Sequence, residues 1–472
     1  MHSTRRSFLG ASALALGSAG AAAAQLPGRP VRAPVSVKDF GAAGDGVTDD
    51  RAAIARAVAG ARGKRLIFPE GNYLINSNGG PIILEEVSLD GQGVLDGATG
   101  SIDRGVNLWI RGTGNSPFRV RRGTSVSGMG IYYPDQKDSP RPTVHPATLA
   151  FDFSNGPVQF VHIRDNVIYN AYRFIDIEDS AGNVGHVEIT GNYICALNRG
   201  IYVRHNSEHL RVERNNFTFG HWLQATEAGA RAYMRAHATA LHIDQSDGVE
   251  FVDNLVFGQL NGVLASAAGL CQFMNISLNK FDQARFGVRA VGPGRFDGHI
   301  AANTFNAFNP ADTAQQGRCV SIETSGSGME NITIDGNSFD LATEDLVYIN
   351  GDTPARYVVV GPNNYRSWAG WKNSGAFGAI NANGARTNVQ VTGGWFFGGN
   401  NAPYSIGIMG AVDTLQITGA SFSMCQAALM ARANSVSTTG NRSFGTRGQA
   451  SATVASGDFA SFGDRWDKPG RA

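Results

Sequence analysis

The chain has 472 residues, with 40 Lys and Arg against 39 Asp and Glu, a formal net charge of +1. That balance excludes a surface that binds nucleic acid or an anionic membrane through bulk positive charge. The 60 glycines and the 42% apolar fraction exclude disorder and collagen-like repeats, and they leave a large core served by many tight turns.

The N-terminus reads as an address. Ser3-Thr4-Arg5-Arg6-Ser7-Phe8-Leu9 carries a twin arginine, an Ala-rich apolar stretch runs to Ala24, and Ala22-Ala23-Ala24 offers small residues for cleavage before Gln25. The pattern resembles a bacterial twin-arginine export signal, so residues 1–24 are expected to be removed and the protein to be periplasmic or secreted. The stretch is too short and too Ala-rich to span a bilayer well, and no later segment reads as a membrane span.

The segment V-S-V-K-D-F-G-A-A-G-D-G-V-T-D-D-R-A-A-I-A-R-A-V runs from Val35 to Val58, and L-I-F-P-E-G-N-Y-L-I follows at Leu66. Thr48 or Asp49 can cap a helix over residues 50–60, which would plug the open end of a stacked-strand rod. Asp45, Asp49 and Asp50 are therefore read as structural. The two motifs strongly resemble the start of the pectate-lyase superfamily of β-helix proteins, which includes polygalacturonase-like hydrolases, pectate lyases and phage tailspikes. The resemblance implies an all-β, right-handed parallel β-helix of roughly ten coils over residues 35–472. Residues 35–75 would be its N-terminal cap. The resemblance transfers no catalytic residues, because the Asn-Thr-Asp, Asp-Asp, Gly-His-Gly and Arg-Ile-Lys set of the polygalacturonases is missing here.

One phrase then recurs: apolar-x-x-Asn-x-apolar, a bend, and another alternating strand. It reads I-R-D-N-V-I at 163, I-T-G-N-Y-I at 189, V-E-R-N-N-F at 212, F-V-D-N-L-V at 251, I-S-L-N-K-F at 276, I-A-A-N-T-F at 300 and I-D-G-N-S-F at 334. The asparagines fall at 166, 192, 215, 254, 279, 303 and 337, mostly about 25 residues apart. Weaker copies follow at Val360, Val391 and Ile417. Within each unit the period is two, which calls for strands rather than helices. Such units stack into a solenoid with coils ~4.8 Å apart, and the asparagines are expected to form an amide ladder along it. Residues 220–238 interrupt the repeat as a short helical insertion, residues 306–318 form a loop, and the pattern fades after about Asn441. Cys195, Cys271, Cys319 and Cys425 have no metal-binding spacing and read as buried thiols, although the expected compartment would permit one disulfide.

Register arithmetic nominates a site. In regular coils Asn+9 and Asn+11 are apolar and point inward, as with Ile175 and Ile177 and with Ile201 and Val203, and Leu241 and Ile243 continue the scheme in the coil that bears the insertion. Alternation sends Asp176, Tyr202 and His242 outward in one column, and Asp152, Glu178, Arg204 and Asp244 outward in the next. Beyond them the columns dilute to Leu264, Ser266 and Val291. A second outward set, His162, Glu188, Arg211 and Glu250, alternates in sign and reads as a plain charge ladder.

Three functions fit. A glycoside hydrolase needs paired carboxylates, which Glu178, Asp244 and Asp176 could supply, with Arg204 and Asp152 beside them and Trp222 and Tyr202 stacking on sugar rings. A polysaccharide lyase would use Tyr202 or His242 as base or acid and Arg204 to neutralise a uronate carboxylate. Some relatives use Ca²⁺ for this; Asp152, Glu178 and Asp244 could offer oxygen ligands, but no loop has calcium spacing, and no metal or other cofactor is otherwise called for. The third function is a non-catalytic glycan-binding or structural β-helix. The favoured expectation is an exported hydrolase acting on an extended, acidic polysaccharide, as a monomer or homotrimer, with no nucleic acid partner.

Overall fold

The computed structural model describes residues 33–472 apart from 92, 94–101, 103, 178–183, 206–208, 227, 267–268, 308–315, 325–328, 352–357, 370–375, 399–404, 448–451 and 468–472. The expected export signal lies outside the described residues. From Val35 onward the chain winds through three parallel sheets in turn, and every named strand pairs in parallel with its counterpart one coil away. The first sheet contains Val158–Arg164 and Val184–Thr190, the second Leu255–Phe257 and Lys280–Asp282, and the third Thr239–Ile243 and Asn261–Ala265. This is a right-handed parallel β-helix, the hand that parallel crossovers adopt almost without exception.

The recurrent asparagine sits at the bend between the first and second sheets. The residue before it takes a left-handed conformation, as at Asp165, Arg214, Asp253, Leu278 and Ala302. The Asn254 amide shows the pattern. Its Oδ1 accepts the Asn215 N–H at 2.9 Å and the Asn215 Nδ2 at 3.1 Å, while its Nδ2 donates to the Val212 carbonyl at 2.9 Å and to Asn279 Oδ1 at 3.1 Å. The ladder runs unbroken from Asn166 through Asn337 and goes one rung further to Asn363. It resumes at Asn441, whose N–H and Nδ2 both donate to Asp464.

Two residues after many of these asparagines an aromatic ring turns inward. Phe281, Phe305, Phe339, Tyr365, Phe396 and Phe422 stack in sequence, with ring centroids between 4.3 and 5.3 Å apart. They form part of one continuous apolar core that also takes in Ile175, Ile201, Leu241 and Val263.

Helix α1 (Arg51–Gly60) turns Ile54, Ala57 and Val58 into the start of that core. As expected of a cap, Asp49 Oδ1 accepts the N–H of Arg51, the first helical residue, at 3.1 Å. Asp50 is the N-cap residue, yet its side chain makes no capping bond; it accepts the N–H groups of Ala43 and Gly44 at 2.5 and 2.9 Å. Asp45 folds back onto the N–H groups of Val47 and Thr48, and these bonds hold its carboxyl down at about 2. Asp45 and Asp50 thus staple the glycine-containing turn before the helix, while Asp49 holds the helix end.

All four cysteines are free and buried. Burial pushes the thiols of Cys195, Cys271 and Cys425 up to about 12 and Cys319 in the same direction. Among the described residues no helix is long and apolar enough to cross a membrane.

Candidate active site on the third sheet

The third sheet carries the outward column that register arithmetic picked out. Asp176 pairs with Tyr202, Tyr202 with His242, and His242 with Leu264 in successive coils. The flanking inward residues Ile175, Ile177, Ile201, Val203, Leu241 and Ile243 are completely buried, so alternation fixes the outward direction of the polar residues between them.

Tyr202 meets Asp244 directly, and His242 joins them through Ser266, which the outward columns carried as one more small residue. The Tyr202 hydroxyl donates to Asp244 Oδ2 at 2.5 Å, and the Ser266 hydroxyl donates to Asp244 Oδ1 at 2.6 Å. Ser266 has only one hydroxyl proton and gives it to the carboxylate, so the His242 Nε2 that lies 2.6 Å away must donate to Ser266 Oγ. His242 is thereby held with its proton on Nε2 and a lone pair on Nδ1. Its ring also leans on Tyr202, with centroids 5.1 Å apart.

Electrostatics reinforce this arrangement. Burial is the main force on His242, and the Arg199 cation adds to it; together they lower the ring to about 4 against the pull of Asp244, so it is neutral near pH 7. Burial, with the Asp244 bond and charge, pushes the Tyr202 phenol up to about 12. A hydroxyl that resists ionisation is a poor base and a competent hydrogen-bond donor. The Arg199 guanidinium lies 4.3 Å from the centre of the Tyr202 ring and fixes its plane. Arg199 escaped the alternation scheme because it stands before Gly200, outside the regular second strand.

The remaining expected residues divide. Asp176 is nearly buried, with Arg173 Nη1 3.7 Å from its Oδ2. It stands two coils from Asp244 along the rod, roughly 10 Å away. Arg204 is exposed at the end of its strand. Glu178 lies outside the described residues. Asp152 is not brought to the cluster: it lies three coils from Asp244, and Arg121 holds it at 2.8 Å. Burial would raise the Asp152 carboxyl, but the bonds from Ser154 and Arg121 outweigh it and lower it. Asp152 and Asp244 therefore do not fit one calcium ion, and among the described residues no group of three His, Cys, Asp or Glu does. Trp222 corrects the stacking expectation. It is 7% exposed and belongs to a satellite core with Tyr172, Cys195, Leu197, Phe219 and Met234, so its ring faces protein rather than a sugar.

That satellite core roots the insertion. Gly220–Trp222 form a single tight turn, and helix α2 (Ala230–His237) follows, with the Tyr233 hydroxyl 3.0 Å from that of Tyr172. The sign-alternating set on the first sheet behaves as a plain ladder: His162 contacts Glu188 at 3.2 Å, and Arg211 reaches Glu188 at 4.0 Å and Glu250 at 2.9 Å.

Residues 34–243 match the family model described as rhamnogalacturonase A/epimerase, pectate lyase-like. The match covers the cap, the first coils and most of the polar column. No curated protein sequence matches the chain significantly. Among solved structures, the chain is similar to a hyperthermoactive exopolygalacturonase from Thermotoga maritima, with 12% identity over 76% of this chain and 90% of that one and a TM-score of 0.49. It is similar to the catalytic unit of a GH87 alpha-1,3-glucanase from Streptomyces thermodiastaticus, with 15% identity, 93% and 70% coverage and a TM-score of 0.41. A tailspike of E. coli bacteriophage HK620 gives 13% identity, 91% and 78% coverage and a TM-score of 0.44. The chain resembles the pectate-lyase superfamily of right-handed parallel β-helix proteins.

Proposed function

We propose that the protein is an exported enzyme that cleaves glycosidic bonds in an extended polysaccharide lying against the third sheet. One observation carries this reading: Tyr202, Asp244, Ser266 and His242 form a chain of hydrogen bonds on an outward face, where the described ladder of the first sheet alternates acid and base in paired contacts. The family match to a rhamnogalacturonase and epimerase model supports a carbohydrate substrate.

In the favoured mechanism, hydrolysis, Asp244 is the proton acceptor. Both its oxygens already accept hydroxyl hydrogens, so its orientation is fixed before substrate arrives. A water that loses its proton to Asp244 attacks the anomeric carbon, and the glycosidic oxygen leaves with a proton from a carboxylic acid on the far side. Asp176 is the described carboxyl in that position. The two-coil separation of roughly 10 Å, shortened by side-chain reach, approaches the ~6.5–9.5 Å of an inverting pair. Glu178 shares the proton-donor role as a candidate.

A specific observation keeps a second reading. Neutral His242, with its lone pair on Nδ1, is suited to abstract the C5 proton of a uronate sugar, with Arg199 or Arg204 as the nearby cation. This would be a lyase.

One experiment separates the readings. The purified protein is incubated with acidic and neutral polysaccharides, and reducing ends and unsaturated-uronate absorbance are followed together. Reducing ends alone support hydrolysis, and both signals rising support elimination. Silence on a broad panel, unchanged by Asp244→Asn, overturns both in favour of a binding or structural protein.

A further inference from the structure

We propose that the second sheet carries a separate glycan-binding site built on Trp395. It does not rest on the mechanism proposed for the third sheet. Phe396 points inward in the aromatic stack and is completely buried, so its neighbours Trp395 and Phe397 are turned outward. Trp395 is 57% exposed, an unusual position for an indole on a regular strand. It lines a groove of about 430 Å³ with Ser338, Asp340, Asn364, Arg366 and Phe397. That volume falls within the range of small-molecule sites, about 300–1,000 Å³.

The chemistry of the rim selects the ligand. Trp395 pairs in register with Asn364 in the coil before and with Ser421 in the coil after, and Asn364 pairs with Ser338. Short polar residues thus border the indole along the rod. Arg366 Nε donates to Asp340 Oδ1 at 2.5 Å, so the guanidinium is fixed in place and the pair carries no net charge. The site offers one aromatic plane with hydroxyl, amide and guanidinium groups at its edge. A pyranose presents the complement, a C–H face for the ring and hydroxyls for the rim. An apolar peptide would leave the rim's polar groups unpaired, at a cost in binding. Because the rim is neutral, the expected ligand class is a run of uncharged pyranose residues.

The test is calorimetric titration of the whole protein with cellohexaose, laminarihexaose and hexagalacturonate, together with acrylamide quenching of tryptophan emission. At least one neutral hexasaccharide should bind and shield Trp395 from the quencher. Trp395→Ala should weaken that binding at least tenfold, and Asn364→Arg, which fills the groove beside the indole without deleting it, should do the same. Asp244→Asn should bind these sugars as the unaltered protein does. Loss of turnover in that variant with binding retained therefore tells the two sites apart. Failure of both neutral sugars to bind, affinity unchanged in Trp395→Ala, or Trp395-dependent binding of hexagalacturonate alone would each overturn the proposal.

Discussion

Replacing Asn254 by Ala tests whether the asparagine ladder holds the rod together. The substitution removes the acceptor of the Asn215 N–H and one of the two acceptors of Asn215 Nδ2, whose other bond goes to the Ile189 carbonyl. It also removes the donor to Val212 O and to Asn279 Oδ1. Asn215, Asn254 and Asn279 are all buried, so water does not replace these partners. An orphaned buried N–H costs about 1–3 kcal/mol and each of the three other bonds lost about 0.5–1.5 kcal/mol, which brings the total to about 2.5–7.5 kcal/mol. Against a whole-domain stability of about 5–15 kcal/mol, that is a large fraction. Urea unfolding followed by circular dichroism should show the midpoint falling sharply, while Thr304→Ala on the outer surface shifts it by less than about 0.5 kcal/mol. Asn254→Asp adds a directional check. Its oxygens still accept from Asn215, but one now opposes the Val212 carbonyl and Asn279 Oδ1, and a buried charge is added. It should be worse than Ala at neutral pH and recover as the pH falls and the carboxyl gains a proton to donate. A loss below about 1 kcal/mol for Asn254→Ala with an unchanged denaturant slope would refute the reasoning.

Two further predictions concern the polar column. Asp244→Asn replaces one accepting oxygen with an NH₂ group that faces a hydroxyl already donating, so either Tyr202 or Ser266 must turn away; kcat should drop by ~10² or more with the fold intact. Asp176→Asn and Glu178→Gln should lower kcat according to which of them donates the proton, Glu188→Gln on the first sheet should do little, and normal turnover in Asp244→Asn would reject the assignment. The second prediction is a pH dependence of stability. Burial lowers His221 and His242 from 6.5 to about 4, so between those values the unfolded chain binds protons that the folded chain does not. Stability is therefore lost as the pH falls from about 6.5 towards 4, by up to about 3 kcal/mol for each ring. Asp345 acts in the opposite sense. Burial raises its carboxyl to about 6, so the folded state takes up its proton first and gains stability as the pH falls through the same range. Unfolding midpoints between pH 7 and 4 should drop less steeply in His221→Gln and more steeply in Asp345→Asn; parallel curves for all three proteins would contradict these assignments.

The architecture was legible because the physics of stacked coils repeats. An asparagine at most bends and, in regular coils, an apolar pair nine and eleven residues later set the register, and Ile175, Ile201 and Val263 face inward as that register requires, as does Leu241 beyond the insertion. The site was only partly legible. Asp176, Tyr202, His242 and Asp244 came from alternation, but Ser266, which ties His242 to Asp244, sat in the column as one more small polar residue. Its position directly after Asp244 in register was the available signal. Arg199 was hidden because the chain bulges between the second and third sheets, where the two-residue period breaks. Trp222 was misjudged for a related reason. An insertion has no register to say which side of a ring is covered, and here the ring roots the insertion in its own small core.

The insertion enters the chain just before the strand that carries His242, and a role for it as a wall beside the polar column can be tested. It lengthens the connection between the second and third sheets in the coil that leads to His242 and Asp244, and it is fastened at both ends. Asp138, from a loop in an earlier coil, accepts the Ala230 N–H at 2.7 Å and the Thr226 N–H at 3.3 Å, placing a carboxylate at the start of α2, where the helix dipole favours negative charge. The Tyr233 hydroxyl meets Tyr172, and Ala230, Met234 and Ala238 pack with Trp222 and Phe219. An insertion held this way packs in its own small core outside the main one, so it can loosen while the rod stays folded. Asp138→Ala removes the first fastening at a cost of about 1 kcal/mol. Hydrogen exchange over residues 220–238 should speed up several-fold while the global urea midpoint barely moves. On a polymeric substrate KM should rise with kcat nearly constant, because a loosened wall weakens binding without touching Asp244. A matching drop in the global midpoint would mean that the insertion is part of the main cooperative unit, and an unchanged KM would mean that it does not border the substrate.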